Sequence, residues 1–231
     1  MPKRLGLLEL ENRPIMFPGA LSNPGTFDFP VHRMTVRGAS VQNIVSGDMT
    51  VVDTYIAAAQ SLEQQGATAI IANCGFAALL QAKVSEAVSI PVALSSLQLV
   101  PFVAKLTPSG RKVGILTYDA SKMTERHFQA AGWNSQEMAT AVAGIEGSET
   151  WRELAKPVPE IDPGMLIEDV VAAADALLQR NRDVAYLVFE CAAFPIAADT
   201  VRQRTGLPVA DYVSLAKMVV EMSVDKAVPH L

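Results

Sequence analysis

The chain has only two cysteines and three histidines in 231 residues, and no run of lysine or arginine. Each shortage removes a class of function. Nucleic acid and acidic membrane surfaces need a basic patch, and the formal net charge is −5, so neither is an expected partner. No apolar stretch approaches the ~20 residues that cross a bilayer. The opening Met1-Pro2-Lys3-Arg4-Leu5-Gly6-Leu7-Leu8-Glu9 pairs basic residues with a short apolar run, but Glu9 ends it too soon for a signal-peptide core. A cytoplasmic protein is expected. His32, His127 and His230 are scattered without ligand spacing, so no metal is expected; His127 is expected on an exposed helix face. No Gly-x-Gly-x-x-Gly, P-loop or Gly-x-Ser-x-Gly motif occurs, which leaves nucleotide binding and serine-hydrolase chemistry without a signature. Two isolated cysteines fit neither a zinc ribbon nor a Cys-x-x-Cys redox motif. A disulfide between them would be unusual in a reducing cytosol.

What remains is a hydrophobic, weakly charged chain, long enough for one large domain or two small lobes. Short apolar runs at 4–9, 33–38, 68–73, 91–95, 111–117, 139–145, 184–190 and 207–211 have the near-continuous hydrophobicity of parallel strands buried on both faces. Helix signals lie between them. Asp48 caps a segment running to Gln65 and closed by Gly66; Ser121 caps another ending at Gly132; Asp162-Pro163 opens a third, reaching Arg180. Strand-helix alternation throughout means α/β with mostly parallel sheets. Residues 12–32 and 144–163 read as loops. The first, with four prolines and two glycines, is too long for a bare connector, and covering a site is one role open to it.

An internal repeat gives the two cysteines their meaning. Ala67-Thr68-Ala69-Ile70-Ile71-Ala72-Asn73-Cys74 parallels Val184-Ala185-Tyr186-Leu187-Val188-Phe189-Glu190-Cys191: an apolar strand, one polar residue, then cysteine. Seventeen residues after each cysteine stands a proline, in Ile90-Pro91-Val92-Ala93 and in Leu207-Pro208-Val209-Ala210. Val84 and Val201 also share an offset, and Arg4-Leu5-Gly6-Leu7-Leu8 is echoed by Lys112-Val113-Gly114-Ile115-Leu116. The expected fold is therefore two pseudo-symmetric Rossmann-like lobes, each a mostly parallel four-stranded sheet flanked by helices. Residues 1–100 form the first and 101–212 the second, with a C-terminal helix over 213–231 packing back on the first.

A lone cysteine in apolar surroundings is commonly just a small core residue. Two at one repeat position, each at the carboxyl end of a strand where α/β sheets bind ligands, call for another explanation. If a pseudo-two-fold axis relates the lobes, Cys74 and Cys191 face each other across a cleft. Each precedes a helix start, whose unpaired N–H groups favour a thiolate and can hold a carboxylate or developing oxyanion. A thiolate on one face of a carbon acid removes a proton while a thiol on the other face returns one, inverting the centre without a cofactor.

Asn73-Cys74-Gly75-Phe76 and Glu190-Cys191-Ala192, each ending a strand at this separation, resemble the cysteine motifs of the aspartate/glutamate racemase superfamily. That group includes amino-acid and hydantoin racemases, maleate cis-trans isomerases and arylmalonate decarboxylases. The resemblance covers nearly the whole chain in layout, with motif support at about residues 66–100 and 184–220. It implies catalysis by Cys74 and Cys191, a small carboxylate or hydantoin substrate, and a homodimer. Members acting on glutamate or aspartate typically carry Asn and Thr after the first cysteine and Thr after the second, where this chain has Gly75-Phe76 and Ala192-Ala193. A hydantoin or a less polar acid fits Phe76 better, and two cysteines argue against the one-thiol decarboxylase branch. Asn73 and Glu190 either orient substrate or face water; Thr117 and Tyr118 end a strand at the same cleft edge; Ser95 and Ser96 read as helix caps. Gly75, Phe76 and Ala192 complete the candidate substrate contacts. Two other readings stay open: a maleate-type isomerase using a covalent cysteine adduct, and a binding protein that kept the cleft without the chemistry.

Overall fold

The computed structural model describes residues 3–224. In chain order the elements are β1 Leu5–Glu9, β2 Val31–Thr35, α1 Val41–Val45, α2 Val52–Gln64, β3 Ala69–Ala72, α3 Gln81–Glu86, β4 Val92–Ala93 and α4 Val100–Leu106. There follow β5 Lys112–Thr117, α5 Glu125–Ala130, β6 Thr140–Gly144, α6 Glu149–Leu154, α7 Pro163–Arg180, β7 Val184–Phe189, α8 Ala198–Thr205, β8 Val209–Ala210 and α9 Tyr212–Met222.

The strands form two four-stranded sheets, ordered β2-β1-β3-β4 and β6-β5-β7-β8, with every pairing parallel. The orders match position for position, so the internal repeat is a repeat of topology. The central strands β1 and β3 are buried at every residue, which explains their unbroken apolar sequence. Gly6 and Gly114, the matched glycines of β1 and β5, sit where a helix crosses closely. A Cβ on Gly114 would come within 2.7 Å of Leu187 and 3.0 Å of Leu177 on α7; one on Gly6 would lie 3.2 Å from Leu62 on α2. Helix starts are capped by sequence: the Asp162 side chain accepts from the Met165 amide, with Pro163 in the first turn. On α2 the buried Tyr55, Ala58, Ala59 and Leu62 form the stripe that covers the first sheet.

One hydrophobic cluster joins the lobes. Leu5, Leu7 and Ile71 of the first sheet share it with Val113, Ile115 and Val188 of the second, together with Tyr212, Leu215 and Val219 of α9. Helix α9 packs on β3 and β4; the expected helix over 213–231 runs beyond Met222, and its last seven positions lie outside the described residues. Ser96, expected as a cap, is instead wholly buried, and its hydroxyl donates to the Phe189 carbonyl of the other lobe at 2.7 Å. Ser95 does cap, accepting from the Leu97 amide at 3.2 Å.

Other departures are local. The strand expected at 33–38 is Val31–Thr35, and the outer strands β4 and β8 shrink to two residues each. The helix expected from Ser121 starts after Thr124, whose hydroxyl pairs with His127 Nδ1. His127 is not exposed but 4% accessible, its ring edge-on to Phe76 at 5.1 Å. The loop at 144–163 contains α6, and that at 12–32 contains the 3-10 turn Pro24–Thr26. Short helices such as α1 and α6 carry too few turns to show a period in sequence.

Candidate active site

Strand β3 delivers Asn73 and Cys74 into a 3-10 turn, Gly75–Leu80, that runs on into α3. Strand β7 delivers Glu190 and Cys191 ahead of the 3-10 turn Phe194–Ala197 that runs into α8. The sequence pattern led to an α-helix start after each cysteine; a tighter turn stands there. It still leaves backbone amides near sulfur: those of Phe76 and Ala77 favour the charged form of Cys74, and that of Ala193 the charged form of Cys191. Both cysteines are free and partly buried, and both line one cavity of about 80 Å³. That is small beside the ~300–1,000 Å³ of drug-sized sites.

Beside the thiols lies a carboxyl. Glu190 is wholly buried rather than facing water. Its Oε2 accepts from Thr117 Oγ1 at 2.7 Å and the Tyr118 amide also reaches it, while Oε1 has no hydrogen-bond partner. Gly75 packs so tightly on it that a Cβ there would lie 2.1 Å from Oε1 and 2.5 Å from the Glu190 backbone oxygen. Burial raises the carboxyl to about 7, against the Thr117 and Tyr118 hydrogen bonds that pull it down. Burial pushes the Cys74 thiol up to about 12, and the neighbouring Glu190 charge adds to this; the Phe76 and Ala77 amides oppose it. Cys191 is likewise raised, by burial first and then by Glu190.

Two segments close the cavity. Leu10, Arg13, Ile15 and Ser22 come from the 10–22 stretch, Leu154 and Pro159 from the 154–159 stretch. Asn12 staples them: its Nδ2 donates to the Ala155 and Lys156 carbonyls at 3.3 and 2.7 Å, and its Oδ1 accepts from the Val41 amide at 3.0 Å. The Arg13 amide donates to the Pro157 carbonyl at 2.7 Å. The long proline-rich loop thus spans from the first lobe to the second across the mouth of the site.

Of the residues singled out from sequence, Asn73, Cys74, Gly75, Phe76, Tyr118, Glu190, Cys191 and Ala192 all border this cavity. Asn73 is structurally engaged, accepting from the Leu10 amide at 3.0 Å. The Tyr118 hydroxyl donates to the Trp151 carbonyl at 3.0 Å. Thr117 stands behind the cavity, holding Glu190. Sequence reasoning missed Tyr212, whose buried hydroxyl donates to the Leu94 carbonyl at 2.9 Å and approaches Ser95. A signal existed, for Ser95 and Tyr212 each stand 21 residues after their cysteine. It also missed Tyr55, a buried phenol beside Cys74 without a hydrogen-bond partner, and the strap residues Arg13, Ile15 and Ser22. Among the described residues no cluster of three or more His, Cys, Asp or Glu could hold a metal, and no helix is long and apolar enough to cross a membrane.

The family described as Asp/Glu/Hydantoin racemase matches residues 35–219. Among curated proteins the chain is similar to a dimethylsulfoniopropionate lyase of Durusdinium sp. clade D, 26% identical over 96% of this chain and 75% of that protein. It is also similar to dimethylsulfoniopropionate lyase 3 of Emiliania huxleyi, 24% identical over 96% of this chain but only 60% of the relative's length. Among solved structures, unliganded arylmalonate decarboxylase superposes with a TM-score of 0.61 at 15% identity, covering 98% of this chain and 96% of its own. Allantoin racemase from Pseudomonas fluorescens gives 0.58 at 18%, covering 94% and 89%. These likenesses concern the fold.

Proposed function

This chain belongs to the Asp/Glu/Hydantoin racemase family, and we propose that it is a cofactor-independent enzyme that moves a proton at the carbon beside the carboxylate or carbonyl of a small acid, with Cys74 and Cys191 as its two acid-base groups. The observation that carries this reading is the pair of matched strand ends, each presenting a thiol to one shared cavity. A thiolate at one cysteine takes the substrate proton and becomes a thiol. The thiol at the other returns a proton to the opposite face and becomes a thiolate, so the carbon inverts and the pair is left in exchanged protonation states. Backbone amides near the sulfurs offset part of the burial that opposes thiolate formation. The mostly apolar lining, with Leu10, Ile15 and Phe76, strengthens charge interactions inside it and favours a less polar acid over glutamate or aspartate.

The curated relatives favour a second reading of the same first step. Where the substrate carries a leaving group on the next carbon, as the sulfonium of dimethylsulfoniopropionate does, the electrons released by proton removal form a C=C bond as the C–S bond breaks. Dimethyl sulfide leaves, acrylate remains, and no proton is returned to carbon. Elimination needs one thiolate; inversion uses both.

One experiment separates them. Chiral α-substituted acids, hydantoins and dimethylsulfoniopropionate are incubated in heavy water with wild type, Cys74→Ser and Cys191→Ser, and followed by NMR. Racemisation is expected to place deuterium on the reacting carbon, and each substitution to lower kcat on the order of 10²–10⁴-fold. Release of acrylate, with only one cysteine required, would select elimination. Undiminished turnover in both variants would remove the thiols from the mechanism.

A further inference from the structure

Glu190 is built in on every side. Thr117 Oγ1 holds one oxygen and the Tyr118 amide stands near the carboxyl, Gly75 leaves room for it by having no Cβ, and Oε1 is buried with no partner. A buried acceptor left unsatisfied is costly, more so when charged, and an apolar side chain of similar volume would avoid that. The neighbours show what the carboxyl does there. Cys191 follows it in the chain, Gly75 places Cys74 beside it, and charge on Glu190 opposes ionisation of both thiols. We propose that Glu190 is the positioning residue that governs when the thiol pair ionises: its neutral form permits a thiolate at Cys74 or Cys191, and its ionised form suppresses both. The use of those thiolates in catalysis rests on the function proposed above; the control of their ionisation does not.

The titratable groups facing the carboxyl are Cys74 from the turn after β3, Cys191 from the turn after β7, and Tyr212 from the start of α9. Tyr118, at the end of β5, contributes its amide, and its phenol faces the two thiols and Asp119. Burial holds both phenols above their ordinary range, so they stay neutral, and among the described residues no lysine, arginine or histidine pairs with Glu190. With the carboxyl near 7, the sign follows. Below that pH Glu190 is neutral, and thiolate rises about tenfold per pH unit. Above it the growing negative charge raises both thiols further, and the rise flattens.

The test reads thiol ionisation through its reactivity, by iodoacetamide labelling of each cysteine mapped by mass spectrometry, from about pH 6 to 9. Wild type should show the break near neutrality. Glu190→Gln should follow an unbroken line and label roughly tenfold faster at about pH 8.5, the worth of one pKa unit. Thr117→Val keeps the carboxyl but removes a hydrogen bond that favours its ionised form, so the break should move to higher pH. A merely structural role would alter the fold, checked by circular dichroism, without shifting a break. Superimposable profiles for wild type and Glu190→Gln, or a break that moves downward in Thr117→Val, would overturn the proposal. If Glu190→Gln fails to fold, the Thr117→Val shift decides alone. Labelling that behaves as expected with no turnover on any acid would sink the proposed function and leave this inference standing.

Discussion

Gly75 and Glu190 constrain each other so tightly that neither position has a free choice of side chain. The Glu190 carboxyl can swing away from an intruding methyl group, but its backbone oxygen, 2.5 Å from the site of a Cβ, cannot. Gly75→Ala is therefore expected to destabilise the protein by about 1–3 kcal/mol through overpacking, read as a lower urea midpoint with an unchanged slope. A wild-type midpoint would show that the two turns are looser than they stand here. Glu190 occupies the space beside Gly75, and the apolar Ala192 and Phe76 border the cavity. His127 teaches the opposite lesson. The sequence reading puts it on an exposed helix face, yet a cap bond to Thr124 and the Phe76 ring draw it inside.

At the scale of elements the strap over the cavity is tied to the second lobe by one side chain, Asn12, and by one backbone bond, from Arg13 to Pro157. Asn12 makes three hydrogen bonds, two to the 155–156 carbonyls and one from Val41, and each bond of this kind contributes about 0.5–1.5 kcal/mol. Asn12→Ala should free the strap while leaving the sheets intact. The Arg13 and Val41 amides should exchange with deuterium faster, KM for an active substrate should rise, and the thermal midpoint should move little. Unchanged exchange at Arg13 would mean that its own bond to the Pro157 carbonyl suffices to hold the loop. The prolines that made this stretch read as loop also explain why it is usable as a strap, since a proline-rich segment loses less conformational freedom when ordered.

For the whole molecule, the question is whether two lobes unfold as two bodies. The hydrophobic cluster that includes Leu5, Ile71, Val113 and Val188 runs through both sheets. Ser96 bonds to Phe189, Trp133 Nε1 donates to the Leu97 carbonyl at 3.0 Å, and Tyr212 bonds to Leu94. Separating the lobes would expose that shared core and orphan these polar groups together. A single calorimetric transition is expected, with calorimetric and van't Hoff enthalpies in agreement. Two resolved transitions would show the lobes to be independent.

The sequence by itself determined the alternation of strands and helices, the duplication, and the pairing of Cys74 with Cys191, because parallel strands buried on both faces must be continuously apolar and a repeat keeps its spacing. It also carried Ser95 and Tyr212 at one offset, a match visible only once the repeat is laid out. Only the tertiary structure decided that Glu190 is buried beside both thiols, that Thr117 holds it from behind, and that residues 12–22 cover the cavity against the second lobe. Burial and charge coupling arise from chain segments far apart in sequence, and no local pattern of residues encodes which of them will meet.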